Sequence, residues 1–311
     1  PGGSSLGEGN LVVPAPKPQY GGTVVVGLEA EATGMRPWED ACANSCYTMV
    51  GQIFDPLLRQ ARSGDYLPYL AESIVPNDDF TVWTVTIRSG ITFSNGKAVS
   101  AQTYEDMWPI QQGGSSAAGT IATAGLINVE ATGDFTIDYT LSATNVAFPS
   151  FLSFATIGYV FDPEAAADSD AFNANPIGTG PFVLESRDID NETVLVRNPN
   201  YWLSINGRQL PYLDGVSFRP IPDETTRLAA LAAGTTSAME SRRQATVRDA
   251  RELEGVTLYE FQGNDAGGGH FNAQVPPYDD ARVRRGLTLA NNQEAVIEAL
   301  GGAGISEPVT Q

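Results

Sequence analysis

The sequence contains 311 residues, of which 42% are hydrophobic and 18% are charged, and its 32 glycines and 20 prolines are too many for a helical bundle. Acidic residues outnumber basic residues by 37 to 18, so the net charge of −19 excludes nucleic acid and anionic membrane surfaces as expected partners. One histidine and two cysteines exclude an ordinary zinc site, and no run of about 18 apolar residues that could span a membrane is present.

Residues 1–20 are rich in Gly, Ser and Pro, a composition that keeps a chain extended and mobile. The segment is either an ordinary disordered terminus or a tether that holds the folded part away from a membrane anchor. The sequence starts at Pro1 without an initiator Met or a signal-peptide apolar core. We therefore expect either that a targeting segment has been removed or that the sequence is a fragment.

The two cysteines, Cys42 and Cys46, are four residues apart. This spacing permits a disulfide across a turn or a frayed helix start, and a pair of buried, inert thiols is the alternative. An exported protein would favour the disulfide, because oxidising compartments preserve such bonds.

In the first half of the chain, β-branched runs and helical spacing of apolar residues predict alternating element types. The expected elements are a strand at 22–28, a helix at 43–58, a strand at 81–88, a helix capped by Ser100 and running through Trp108, and a flexible loop at 113–119. In the strand at 81–88, Trp83, Val85 and Ile87 fall on one face.

In the second half of the chain, the sequence pattern predicts two hairpins together with further strands and helices. The expected elements are strands at 127–131 and 135–141, a helical segment at 148–155, strands at 181–187, 192–197 and 216–221, a helix at 223–233, a strand at 256–261, and a helix at 280–300 broken near 291–292. Because strands and helices mix without strict alternation, we expect α+β or α/β lobes with a mixed sheet.

Catalytic and cofactor motifs are absent from the sequence, and we expect no catalytic residue, no metal site and no cofactor. His270 is the only imidazole, and we interpret it as structural or exposed. The glycines of residues 178–180 precede a strand rather than a helix, which excludes a dinucleotide loop. The acidic tip at 188–192 lacks the glycine that a calcium-binding loop needs, because Thr193 stands there.

Several short motifs in a fixed order resemble the family 5 extracellular solute-binding proteins, which include the peptide- and nickel-type binding proteins of ABC importers. The motifs are YGGTVVVG at 20–27, IFDPL at 53–57, WTVTIRSGITFSNGKAVSA at 83–101, NPIGTGPF at 175–182, RNPNYW at 197–202, and FN, PP and DARVRR within 271–285. Each motif is weak alone, and their order and spacing carry the resemblance.

The resemblance implies an α/β, mixed-sheet, periplasmic-binding-protein-like fold of type II with two lobes. After a tether at 1–20, the first lobe would hold a large domain, 21–52 with 172–262, and a small accessory domain, 53–171. Residues 263–311 would begin the second lobe, which is truncated. The chain thus resembles a C-terminally incomplete member, and we expect weaker solute binding than two complete cleft walls would give.

By the same resemblance, the protein would be an extracytoplasmic, periplasmic or lipid-anchored, monomeric receptor rather than an enzyme. It would close on a peptide-like or nickel-type solute and deliver it to ABC permease subunits. Ligand-binding candidates are Glu29, Ala30, Glu31 and Trp108; a solvated loop is the alternative for the two glutamates, and core packing for Trp108. A sensory receptor with the same fold and, more remotely, a hydrolase are the alternative functions. The loop at 29–38 departs from the family pattern, which leaves the ligand class open. Ser94-Asn95-Gly96 also departs from that pattern.

Overall fold

A computed structural model describes residues 18–40, 44–61, 63–153, 155–259 and 270–299. The chain divides into two compact units, Pro1–Pro222 and Asp223–Gln311. The N-terminal segment up to residue 17 lies outside the described residues, so its role as a tether stays a prediction.

The first unit contains two main sheets with short helices. Its strands are β1 (Thr23–Leu28), β2 (Leu58–Gln60), β3 (Tyr66–Pro68), β4 (Ala71–Pro76), β5 (Val82–Ile87), β6 (Leu126–Ala131), β7 (Thr136–Leu141), β8 (Phe182–Asp188), β9 (Glu192–Arg197), β10 (Ser204–Ile205), β11 (Arg208–Gln209) and β12 (Gly215–Pro220). Its helices are α1 (Asn44–Val50), α2 (Ala101–Gly113), α3 (Ser115–Ala124), α4 (Ala155–Gly158), α5 (Pro163–Ala166) and α6 (Ser169–Ala174), with a 3-10 helix at Phe148–Ser153.

The first sheet is mixed, with strands β1, β12, β9 and β8 side by side in that order. Strand β1 pairs with β12 in parallel, whereas β9 is antiparallel to both β12 and β8. Strands β1, β12 and β8 therefore run in the same direction, and their carboxyl ends meet at one edge. The β-branched residues of β1 suit the pleated, largely buried surface that such a sheet needs.

The second sheet is antiparallel, with the strand order β4-β5-β7-β6. The predicted alternation in β5 is confirmed, because Trp83, Val85 and Ile87 are buried while the residues between them are partly exposed. Helix α2 covers this sheet with a buried face that includes Tyr104 and Met107. Its N-terminus is where the sequence predicts it, with Ser100 and Thr103 forming a capping box.

Backbone hydrogen bonds join the segment that follows α1 to the segment that leads into β8. The amide of Gly180 donates to the carbonyl of Ile53 at 2.8 Å, and that of Phe182 to Gln52 at 3.0 Å. A Cβ on Gly178 would lie 2.2 Å from the Ile53 carbonyl oxygen, and one on Gly180 would lie 2.5 Å from the Ile53 carbonyl carbon. These two glycines are therefore required by close approach of two chain segments.

The second unit contains the short strand β13 (Ala238–Met239) and the helices α7 (Glu224–Ala232), α8 (Gln244–Arg251), α9 (Ala281–Ala290) and α10 (Gln293–Ala299). The Asp223 carboxylate caps α7 by accepting from Thr226, as its position in the sequence predicts. The predicted break between the last two helices is also confirmed. Helices α9 and α10 have no buried residue within the described part of the chain.

Three predicted elements are wrong or too long. Residues 115–124 form helix α3 rather than a flexible loop, because the alanines that follow the glycines favour a helix. Helix α1 ends at Val50 instead of continuing to residue 58, and a turn that leads to Pro56 follows it. Residues 256–259 form no strand, and the rest of that predicted strand lies outside the described residues.

The predicted domain boundaries within the first lobe stay a proposal. All first-sheet strands named above fall within 21–52 or 172–262, and all second-sheet strands fall within 53–171. The two compact units, however, divide the chain at residue 222.

Candidate ligand-binding edge of the first unit

The edge where β1, β12 and β8 end is the candidate functional site. Leu28 and Pro220 are register partners at the ends of β1 and β12, and β8 ends at Asp188. The loop at 29–40 follows β1, and the hairpin tip at 189–191 follows β8. In open α/β sheets, ligands bind beyond the carboxyl ends of parallel strands, so the sheet topology selects this edge.

Glu31 connects the two loops at this edge. Its carboxylate accepts hydrogen bonds from the Ala32 amide at 3.0 Å, the Asp190 amide at 3.2 Å and the Arg187 guanidinium at 3.2 Å. The side chains of Arg187 and Glu31 are only 12% and 17% exposed. Glu31 thus uses its oxygens to hold the loop after β1 against the hairpin tip.

Glu29 and Ala30 lie at the same edge and differ from Glu31 in forming no side-chain hydrogen bond or ion pair among the described residues. Glu29 is exposed and Ala30 is half-buried. Among the residues that the structure describes, Glu29 has no ion pair or side-chain hydrogen bond. Of the two glutamates predicted from sequence, Glu29 is therefore the one whose carboxylate is available to a solute.

The far half of the loop after β1 is fixed to α6. The Met35 amide donates to Asn173 at 2.8 Å, and Arg36 donates to Ser169 at 2.9 Å. Arg36 also pairs with Asp40 at 2.6 Å. The loop is thus anchored at both ends, which presents Glu29 from a pre-organised backbone.

Trp108, the fourth predicted site residue, lies on α2 in the hydrophobic core and is 8% exposed. Core packing accounts for this side chain, and a ligand contact by it stays a prediction. The sequence analysis missed Arg187 and Asp190, which complete the edge. Arg187 stands at the end of a strand and within an acidic segment, but only the register of the sheet brings it to Glu31.

No cluster of three or more potential metal ligands occurs in the described ranges. His270 is exposed, one of the two settings expected for it. Within the same ranges, no helix has the length and apolarity needed to cross a bilayer. Cys46 is disulfide-bonded in the structure, while Cys42, the other cysteine of the sequence, lies outside the described residues.

Solved structures share this fold over most of the chain. The binding protein DppA of Helicobacter pylori, associated with an ABC transporter and solved with the peptide STSA, has a TM-score of 0.73 and 23% identity over 92% of this chain and 59% of its own. The oligopeptide-binding protein AppA of Bacillus subtilis, solved with a nonapeptide, has a TM-score of 0.72 and 23% identity over 90% of this chain and 56% of its own. The fold is the mixed-sheet type II fold of periplasmic binding proteins.

Curated relatives agree with this assignment. Heme-binding protein A of Haemophilus influenzae is 29% identical over 82% of this chain and 50% of its own length. The dipeptide-binding protein of Escherichia coli is 31% identical over 56% of this chain and 32% of its own length. This chain therefore spans about a third to a half of these two relatives. The family model for bacterial extracellular solute-binding proteins, family 5, middle part, matches residues 65–310. The chain belongs to family 5 of the bacterial extracellular solute-binding proteins.

Proposed function

We propose that the chain is part of an extracytoplasmic receptor that captures a peptide-like solute and delivers it to an ABC importer. The observation that carries the proposal is the carboxyl edge of the first sheet, with its anchored loop and its available carboxylate at Glu29. Family membership supports the same role, since relatives are named as binding proteins for dipeptides, glutathione, nickel and heme. The role contains no chemical step, so the protein acts as a binder rather than an enzyme.

In this proposal the solute binds between two lobes, and a hinge closes them. A solute that contacts both lobes stabilises the closed form, and its apparent affinity falls with the population of that form in the free protein. The permease would then recognise the closed receptor. The carboxylate of Glu29 provides a partner for a cationic group, such as the amino terminus of a peptide.

The same proposal places the protein outside the cytoplasm. The disulfide at Cys46 supports this location, because such bonds persist in oxidising compartments. A lipid anchor attached through the N-terminal segment belongs to the proposal as well.

Calorimetric titration of the chain tests the function. The dipeptide Met-Leu, the tripeptide glutathione and the tetrapeptide STSA serve as peptide probes, with nickel chloride and hemin as competing ligand classes. We expect saturable binding of the peptides, weaker than two complete cleft walls would give. If only nickel or hemin bound, the solute class in the proposal would change from peptide to that ligand. If none of the five compounds bound to the chain, the proposal would be overturned.

A matched pair of variants tests the assigned carboxylate. We expect Glu29→Gln to weaken Met-Leu binding by about fivefold, because an exposed charge contact contributes up to about 1 kcal/mol. Glu130→Gln removes an exposed carboxylate from β6 in the second sheet and should leave the affinity unchanged. An equal effect of both variants would show only a response to net charge.

A further inference from the structure

Arg187 has an unusual environment for an arginine at the edge of a sheet. Its guanidinium is held by the Glu31 carboxylate and by the Ala32 carbonyl oxygen. Its Nε is buried and has no hydrogen-bond partner within the described part of the chain. An unsatisfied buried donor destabilises a fold, so the hydrogen bonds of Arg187 alone do not explain its position.

The electrostatic effect of Arg187 on the edge is specific. The guanidinium neutralises the charge of Glu31, whose carboxylate also accepts hydrogen bonds from the Ala32 and Asp190 amides. Glu29, two residues earlier, keeps an uncompensated charge at the surface. The loop after β1 therefore presents one effective negative charge, although it carries two glutamates at this point. Asp188 and Asp190 at the hairpin tip add exposed carboxylates that no ion pair among the described residues neutralises.

We propose that Arg187 is a specificity-determining residue that shifts the preference of the edge toward solutes with a single cationic group, such as the amino terminus of a peptide with an uncharged first side chain. This inference rests on the proposed function and deepens it. Without Arg187, both glutamates would act on the solute, and a first residue with a second positive charge would be favoured. Arg187 thus acts through Glu31 and needs no contact with the solute.

The test compares the affinities of Met-Leu and Lys-Leu for the wild type and for variants of the pair. We expect Arg187→Gln to raise the affinity for Lys-Leu relative to Met-Leu by about fivefold. Glu31→Gln should lower the same ratio, because Arg187 then stands uncompensated. The double variant, which removes both charges, should return the ratio to its wild-type value.

Two further variants separate specificity from folding. Arg187→Lys keeps the charge and should keep the wild-type ratio. Arg197→Gln breaks the pair with Asp214, 2.8 Å apart, at the opposite edge of the sheet, and should also leave the ratio unchanged. If Arg187 were only structural, Arg187→Gln would weaken both peptides by the same factor, and that result would overturn the inference while leaving the proposed function intact. If the wild type bound neither peptide, the proposed function and this inference would both be wrong.

Discussion

Asp55 is a buried carboxyl group that forms no ion pair with any of the described residues, although the charge of Arg59 acts on it from a longer distance. It accepts hydrogen bonds from the Trp202 indole at 2.9 Å and from the Thr179 hydroxyl at 3.3 Å. Burial raises its pKa from the ordinary 3.8 to about 7, although these bonds and that of Tyr69 act in the opposite direction. Asp55, Thr179 and Trp202 lie in three of the short motifs, at 53–57, 175–182 and 197–202, so this network joins motifs that are far apart in the sequence.

Because the pKa of Asp55 is raised in the folded chain, the free energy of unfolding should depend on pH. Between about pH 4 and pH 7 the unfolded chain has released the proton of Asp55 while the folded chain retains it, so the free energy of unfolding falls as pH rises. The fall contributed by Asp55 is a few kcal/mol, since each pKa unit corresponds to about 1.4 kcal/mol. In Asp55→Asn we expect this part of the decline to disappear.

Urea unfolding at pH 4.5, 6 and 7.5 measures that decline. The variant Asp65→Asn, which changes an exposed aspartate, should keep it. An Asp55→Asn protein with the wild-type slope between pH 4.5 and 7.5 would show that Asp55 is ionised in the folded chain.

Gly178 and Gly180 provide a second prediction about single residues. The sequence predicts a bend at these glycines. The structure shows that a Cβ at either position would lie too close to the backbone of Ile53. We expect Gly178→Ala and Gly180→Ala to lower the free energy of unfolding by about 1–3 kcal/mol, as overpacking against backbone does. Thermal and urea unfolding measure the change.

Gly119 is the matched control for this pair. It lies in the interior of α3 and is exposed. Apart from its chain neighbours and the backbone of its own helix, a Cβ added to it would meet no atom of the described residues within 4 Å. Gly119→Ala should stabilise the protein by up to about 1 kcal/mol, because alanine favours a helix more than glycine does. Equal stability of all three variants would mean that the close contacts at Ile53 relax freely.

Among the secondary-structure elements, helix α5 depends on one buried acid. Asp162 caps the helix by accepting from the Glu164 amide at 3.0 Å, and it also accepts from Asn95 at 2.8 Å. Lys97 lies 3.0 Å from the same carboxylate, whose side chain is 3% exposed. Burial alone would raise the pKa of Asp162, but the bonds from Lys97 and Asn95 outweigh it and hold the pKa below its ordinary value.

Removal of this cap should separate the helix from the turn at 94–97. We expect Asp162→Ala to cost about 1–2 kcal/mol, because it removes an N-cap and leaves the partly buried amides of Glu164 and Asn95 without their acceptor. Glu164→Ala removes the other carboxylate that contacts Lys97, at 2.7 Å. The Glu164 side chain is 83% exposed, so we expect little change in the free energy of unfolding. Denaturant unfolding of both variants checks the contrast, and similar costs would contradict the role of Asp162 as cap.

The elements show which features a sequence can predict. The hairpins β6–β7 and β8–β9 are predictable because alternation and turn residues are local patterns. Strand β4 was missed, since it forms next to β5 without a strong alternation of its own. Glu31 is predicted as a site residue from its place after β1, whereas its pairing with Arg187 depends on β8 running parallel to β1 across two intervening strands. That relation is non-local and cannot be read from either segment.

At the scale of the whole molecule, the family of the chain is established, whereas its binding role is a proposal. The family model matches most of the chain, and the relatives and solved structures identify the fold. The chain spans about half the length of relatives such as Heme-binding protein A, so its solute, its lobe closure and its permease contact stay proposals. The central claim is that the solute binds at the carboxyl edge of the first sheet.

Hydrogen–deuterium exchange of the chain with and without Met-Leu at saturating concentration tests that claim most directly. We expect the peptide to slow amide exchange at residues 29–33 and 188–191, the two loops that Glu31 connects. The turn between β6 and β7 in the second sheet should exchange at the same rate in both samples. Slower exchange confined to the second sheet, with no change at residues 29–33, would contradict the account.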